Sequence, residues 1–135
     1  MLKPTASGAA VVACSTCRYA PDASADGDGV RGGARLAAAL RAVKASDPRY
    51  AAIAVEDMPC LFACQDRCTV HLRAPGKISY VMGRFTPDEE AARSILDYAI
   101  HYAASAHGEV RFADWPEGVK GHFLTRSPPE GFVAT

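Results

Sequence analysis

Two short apolar runs with a helical segment between them constrain this chain more than any other feature. Residues 8 to 13 read GAAVVA and residues 50 to 55 read YAAIAV. Both are too short for a core helix and are bounded by polar or turn-forming residues, so each is read as a buried strand. Between them ARLAAALRAVKA, residues 34 to 45, has high helix propensity and sets Leu36, Leu40 and Val43 at helical spacing, until Ser46-Asp47-Pro48 stops it. Strand, helix and strand in this order form a parallel, right-handed unit. The carboxyl ends of the two strands then lie side by side at one edge of the sheet.

Arg18 to Gly33, rich in Gly, Asp, Ser and Pro, is a loop. Cys68 to Arg73 (CTVHLR) and Ile78 to Met82 (ISYVM) flank the turn signature Ala74-Pro75-Gly76-Lys77 and form a hairpin. Thr86-Pro87-Asp88-Glu89 has the form of a capping box and opens a second helix, whose apolar stripe is Ala92, Ile95, Leu96, Ala99, Tyr102 and Ala103. His107-Gly108 closes it. The tail from Glu109 to Thr135 carries Pro116, Pro128, Pro129 and the sole Trp, Trp115, and is read as an irregular wrap. The predicted fold is α/β with thioredoxin-like topology: a mixed four-stranded sheet in the order strand-helix-strand, hairpin, helix. Residues 1–108 form the domain and 109–135 a tail over it.

At 135 residues the chain builds one hydrophobic core without obligatory staples. Lys plus Arg equal Asp plus Glu at 15 each, so nothing provides a sequence-independent hold on nucleic acid or an anionic membrane. No run approaches the ~20 apolar residues of a membrane span. Val11-Val12-Ala13-Cys14 resembles a lipoprotein attachment box, but the apolar stretch before the cysteine is about five residues where a signal peptide needs ~7 to 15. A cytoplasmic location is expected. In a reducing compartment five cysteines confined to two short segments point to a metal or redox site rather than to disulfides.

Cys14-Ser-Thr-Cys17 ends the first strand, and Cys60 and Cys64 follow the second, so four thiols converge at the carboxyl edge of the sheet. Three chemistries fit thiols in that place. A thiol oxidoreductase needs its attacking thiol at a helix N-terminus, and here the fourteen residues Arg18 to Arg31 intervene before the helix. Zinc accepts four thiolates at this spacing. An iron-sulfur cluster accepts them too, although the spacing matches neither the bacterial nor the plant-type ferredoxin run.

Cys14-Ser-Thr-Cys17-Arg18, Gly33-Ala34-Arg35-Leu36, Cys60-Leu61 with Ala63-Cys64, Cys68-Thr69-Val70, and Ala74-Pro75-Gly76-Lys77 with Tyr80-Val81 resemble a bacterial family of unknown function described as predicted metal-binding proteins. That family is related to the thioredoxin-like two-iron two-sulfur ferredoxins. The resemblance extends over most of the chain, including the Trp-Pro-Glu and Pro-Pro elements of the tail. It implies one 2Fe-2S cluster used for single-electron transfer, an unidentified redox partner protein, a homodimer, and a link to cobalamin or metal metabolism. No residue set suggests a catalytic triad, a phosphate loop or a paired-carboxylate site, so no enzymatic activity is expected, and the charge balance predicts no nucleic-acid or membrane partner. Residue by residue, Cys14, Cys60 and Cys64 match the ferredoxin ligands; Cys17 stands as a substitute, because in those ferredoxins the first two ligands lie farther apart in sequence. The alternative is a zinc or cobalt carrier using the same four thiolates. Cys68 shares strand parity with Val70 and Leu72 and is expected in the core, while His71 is expected to face solvent. Arg18, Arg67 and Lys77 are the cations expected beside the site.

Overall fold

In the computed structural model, which describes all 135 residues, β1 (Ala10–Cys14) is buried along its whole length. It lies inside the sheet, parallel to β2 (Ala54–Met58) with Cys14 opposite Met58, and antiparallel to β3 (Val70–Arg73) with Ala10 opposite Arg73. β4 (Ser79–Met82) and β5 (Phe123–Ser127) continue the sheet antiparallel, giving the order β2-β1-β3-β4-β5. Helices α1 (Gly32–Ser46) and α2 (Glu89–Ala104) pack on each other and both reach β1. Leu36, Leu40 and Val43 of α1, Ile95, Leu96 and Ala99 of α2, and Val11, Val70, Leu72 and Met82 of the sheet form one apolar cluster. Each such aliphatic side chain contributes about 1.5 to 3 kcal/mol on full burial. No helix is long and apolar enough to cross a membrane.

The expected α/β fold is present, with three corrections. The sheet has five strands, not four, because the tail supplies β5. Trp115 and Phe123 lie 4.7 Å apart and both pack on Tyr98 of α2 at 5.9 and 5.2 Å, which carries the tail back to the sheet edge. The second strand starts later than Tyr50. Asp47 accepts from the Arg49 amide at 2.9 Å, Pro48 begins a 3-10 turn over Pro48–Tyr50, and the buried Tyr50 ring is spent in the core before the chain extends. β2 stands at the edge of the sheet and is half-buried rather than buried, with Glu56 pairing with Arg73 and Asp57 with Arg41, each at 2.8 Å. Finally, Asp88 rather than Thr86 caps α2, accepting from the Ala91 amide at 2.8 Å. A carboxylate there satisfies a free N–H of the first turn, and Glu89 and Glu90 add favourable charge at the positive end of the helix. The hairpin turn is as read, with Gly76 at φ 71 and the Lys77 amide donating to Ala74.

Candidate metal centre

The first pair of thiols is held by the sheet and by α1. Cys14 is the last residue of β1 and only 2% exposed, and Cys17 is buried just beyond it. The Cys14 amide donates to Thr69 at 3.0 Å and the Ser15 amide to Met58 at 2.8 Å, so the end of β1 is tied on both sides. The N-terminus of α1 then sits directly on the Cys14–Cys17 turn. The Gly33 amide donates to the Cys17 carbonyl at 3.1 Å, and a Cβ on Gly33 would overlap the Cys14 carbonyl. A Cβ on Gly32 would lie 2.6 Å from the Tyr19 Cα. Two glycines in a row permit this contact, and nothing larger fits.

The fourteen residues between Cys17 and α1 do not keep them apart, contrary to the expectation from spacing. The loop doubles back, pinned where Asp26 accepts from the Asp28 and Val30 amides at 2.9 Å and pairs with Arg35 at 2.6 Å. Sequence distance misled here because a loop of this length closes at small entropic cost.

The second pair lies on the surface. Cys60 and Cys64 follow β2, with their sulfurs 3.8 Å apart. The Phe62 amide donates to the Cys60 sulfur at 3.2 Å, and its backbone holds a left-handed φ of 58 to do so, leaving the ring 94% exposed. Polar contacts join the two arms. The Cys14 thiol donates to the Pro59 carbonyl at 3.8 Å and the Thr16 hydroxyl donates to the same carbonyl, while Arg31 Nε donates to the Thr16 carbonyl at 2.7 Å and ties the first arm to the start of α1.

These contacts set the acidities. Burial pushes the Cys14 thiol up, but hydrogen bonds from the Cys17 thiol, Leu61 and Thr16 outweigh it and the net shift is downward. Burial raises Cys17, and donors on Thr69 only partly offset that. Cys64 is raised by its hydrogen bond with Cys60 and by the charge of that neighbour. Cys68 is pushed up to about 12 by burial and then by the nearby Cys17.

Cys68 is accordingly a core residue, fully buried, its thiol donating to the Arg18 carbonyl at 3.4 Å. It precedes β3 at a left-handed φ of 49 rather than lying in the strand. His71 is half-buried on the face opposite Val70 and Leu72, and burial lowers its pKa, so it is less solvent-facing than its parity implies. Of the expected cations, Arg67 lies close enough to Cys68 to lower it and Arg18 is exposed beside the buried pair. Lys77 is elsewhere: its ammonium caps the end of α2 through the Ala103 and Ser105 carbonyls, at the opposite edge of the sheet. Leu61, Phe62, Thr16 and Thr69 also shape the site, through donors that residue type does not announce. Only the Gly32-Gly33 pair at a helix start was a readable signal.

As a donor set, the four thiols form two pairs, and no three His, Cys, Asp or Glu side chains gather around one point suited to a metal ion. Two thiolates on one tetrahedral metal, with bonds of about 2.3 Å, stand about 3.8 Å apart, which is the separation of Cys60 and Cys64. The sequence pattern of DUF1636, a family described as protein of unknown function, matches residues 11–129. The chain belongs to that family. No curated protein matches it. Among solved structures it is similar to a thioredoxin-like [2Fe-2S] ferredoxin from Aquifex aeolicus, with a TM-score of 0.57 and 17% identity over 95% of this chain and 100% of the other. A second structure, of the wild-type thioredoxin-like [2Fe-2S] ferredoxin from the same organism, gives a TM-score of 0.50 and 19% identity over 70% of this chain and 87% of the other. At these identities the likeness establishes the thioredoxin-like fold that the order of elements predicted.

Proposed function

We propose that the chain binds one two-iron two-sulfur cluster through Cys14, Cys17, Cys60 and Cys64 and carries single electrons. The observation that carries this reading is the division of the thiols into two pairs on one edge of the sheet, one of them at the spacing of two ligands on one metal. A dinuclear cluster uses two thiolates per metal, whereas a mononuclear zinc site draws four to one point. The similarity in fold to the Aquifex ferredoxin supports the same reading. When bound, the cluster supplies a one-electron redox couple. The chain's own part is to bury Cys14 and Cys17 and to aim the Phe62 amide at the Cys60 sulfur, a donor that favours the anionic form of that ligand. The exposed Cys60–Cys64 side leaves a short path for electrons to leave.

The protein then acts as a carrier and not as an enzyme, in the cytoplasm, with a redox protein of cobalamin or metal metabolism as its partner and with no nucleic-acid or membrane ligand. It works as a homodimer, which sedimentation at micromolar concentration tests. Iron and acid-labile sulfide measured on anaerobically purified protein test the cluster itself; two of each per chain or per ligand set are expected. A colourless protein holding stoichiometric zinc or cobalt and no sulfide would replace this reading with that of a metal carrier using the same thiolates.

A further inference from the structure

Apart from tyrosines and cysteines, Thr69 is the one residue with a polar side chain among the buried set, at 1% exposure. A buried hydroxyl is costly unless it is bonded, and this one has a partner: its Oγ1 lies 3.3 Å from the Cys17 sulfur. The same residue reaches Cys14, since the Thr69 carbonyl accepts from the Cys14 amide at 3.0 Å. Thr69 thus grips the Cys14–Cys17 turn at both ends, from the segment that leads into β3.

We propose that Thr69 is a positioning residue for the metal centre, whose buried hydroxyl donates to the Cys17 sulfur, fixes it as a buried ligand and raises the reduction potential of the site. This rests on the function proposed above. The direction of the hydrogen bond follows from chemistry. Either group can donate while Cys17 is a thiol, but a metal-bound thiolate has no proton, so the hydroxyl must be the donor. That bond favours the anionic form of the sulfur against the cost of burial. Cys17 has need of it. It is buried, at 3% exposure, and the side-chain hydrogen bond it makes is the one to Thr69. Donors on a ligand sulfur withdraw charge from the cluster and stabilise its reduced, more negative state. The step affected is one-electron reduction by an external donor, dithionite in the test; no covalent bond is made or broken.

Thr69→Val keeps the shape and removes the hydroxyl, and Thr69→Ser keeps the hydroxyl and removes the methyl. Dithionite titration followed by visible absorption should show the Val variant reduced about tenfold less at a fixed potential, a fall of about 59 mV, while the Ser variant stays near the wild type. Iron and sulfide content are measured on the same samples. Should Thr69→Val fail to fold or to hold a cluster, Thr69→Ala against Thr69→Ser makes the same comparison. A wild-type protein that holds a cluster, with Val or Ala variants whose midpoint is unmoved, or with a Ser variant that falls as far as they do, overturns the role of Thr69 alone. A wild-type protein with no iron or sulfide overturns the proposed function and this role together.

Discussion

The two cysteine arms differ in what holds them. Cys14 and Cys17 are buried, their turn tied by backbone hydrogen bonds to Met58 of β2 and to Thr69 just before β3, and capped by two glycines of α1. Cys60 and Cys64 lie in a partly exposed loop, positioned by one amide bond to sulfur and a left-handed Phe62. The first arm is therefore a product of the whole fold, and scaffold changes far from sulfur will disturb it. The second is a more local device, joined to the first through the Pro59 carbonyl. Burial on one side with access on the other is also the arrangement an electron carrier needs, since a reduced centre must be shielded from water yet lie near a partner.

The sharpest way to break that contrast is Gly33→Ala. In a helix this change ordinarily stabilises, but here the new methyl meets the Cys14 carbonyl. We expect a loss of about 3 kcal/mol in urea unfolding, with loss of cluster colour. Gly76→Ala, at a positive φ of 71 with open space around it, should cost only about 1 kcal/mol and leave colour intact. Cys60→Ala should abolish visible absorption while leaving the unfolding of the cluster-free chain within about 0.5 kcal/mol of wild type. Retained colour there would remove Cys60 from the ligand set.

Cys68→Ala should do the reverse, keeping colour at a cost on the order of 1 kcal/mol. It should also flatten the alkaline limb of the stability curve. The Cys68 value rises from 9.0 to about 12 on folding, so the native state keeps a proton that the unfolded state gives up. Stability is full below pH 9 and falls as pH rises above it, by at most about 1.4 kcal/mol per pH unit. The comparison with wild type belongs between pH 9 and 10, before the tyrosines join. An unchanged slope would show that Cys68 is not held as a neutral core thiol. The smallest effect is expected at Phe62, where Ala should change stability by no more than about 0.5 kcal/mol because the ring touches mainly solvent. A larger loss would mean that the loop depends on that ring.

Much of this was legible in the residues. Buried strands and helices with clear periodicity, such as GAAVVA and the stripe through Ile95 and Leu96, announce themselves because burial on one face is written into spacing. The hairpin turn and the placing of the thiols at the ends of β1 and β2 follow from the same signals. β5 did not show, since an edge strand reading FLTRS needs few apolar residues and its anchoring comes from Trp115 and Phe123 meeting Tyr98. Nor did Tyr50, whose apolar neighbours suit a strand until Asp47 and Pro48 fold them into a turn.

By itself, then, the sequence determined the order of the first four strands and the two helices, the thioredoxin-like fold and the edge of the sheet at which the cysteines stand, because these depend on local pattern and connection length. Tertiary structure alone decided that the thiols divide into a buried and an exposed pair, that α1 closes on Cys17 across a long loop, and that Thr69 reaches both ends of the first arm. Those facts depend on close approaches between segments distant in the chain, and a glycine or threonine carries no mark in sequence of what will lie against it.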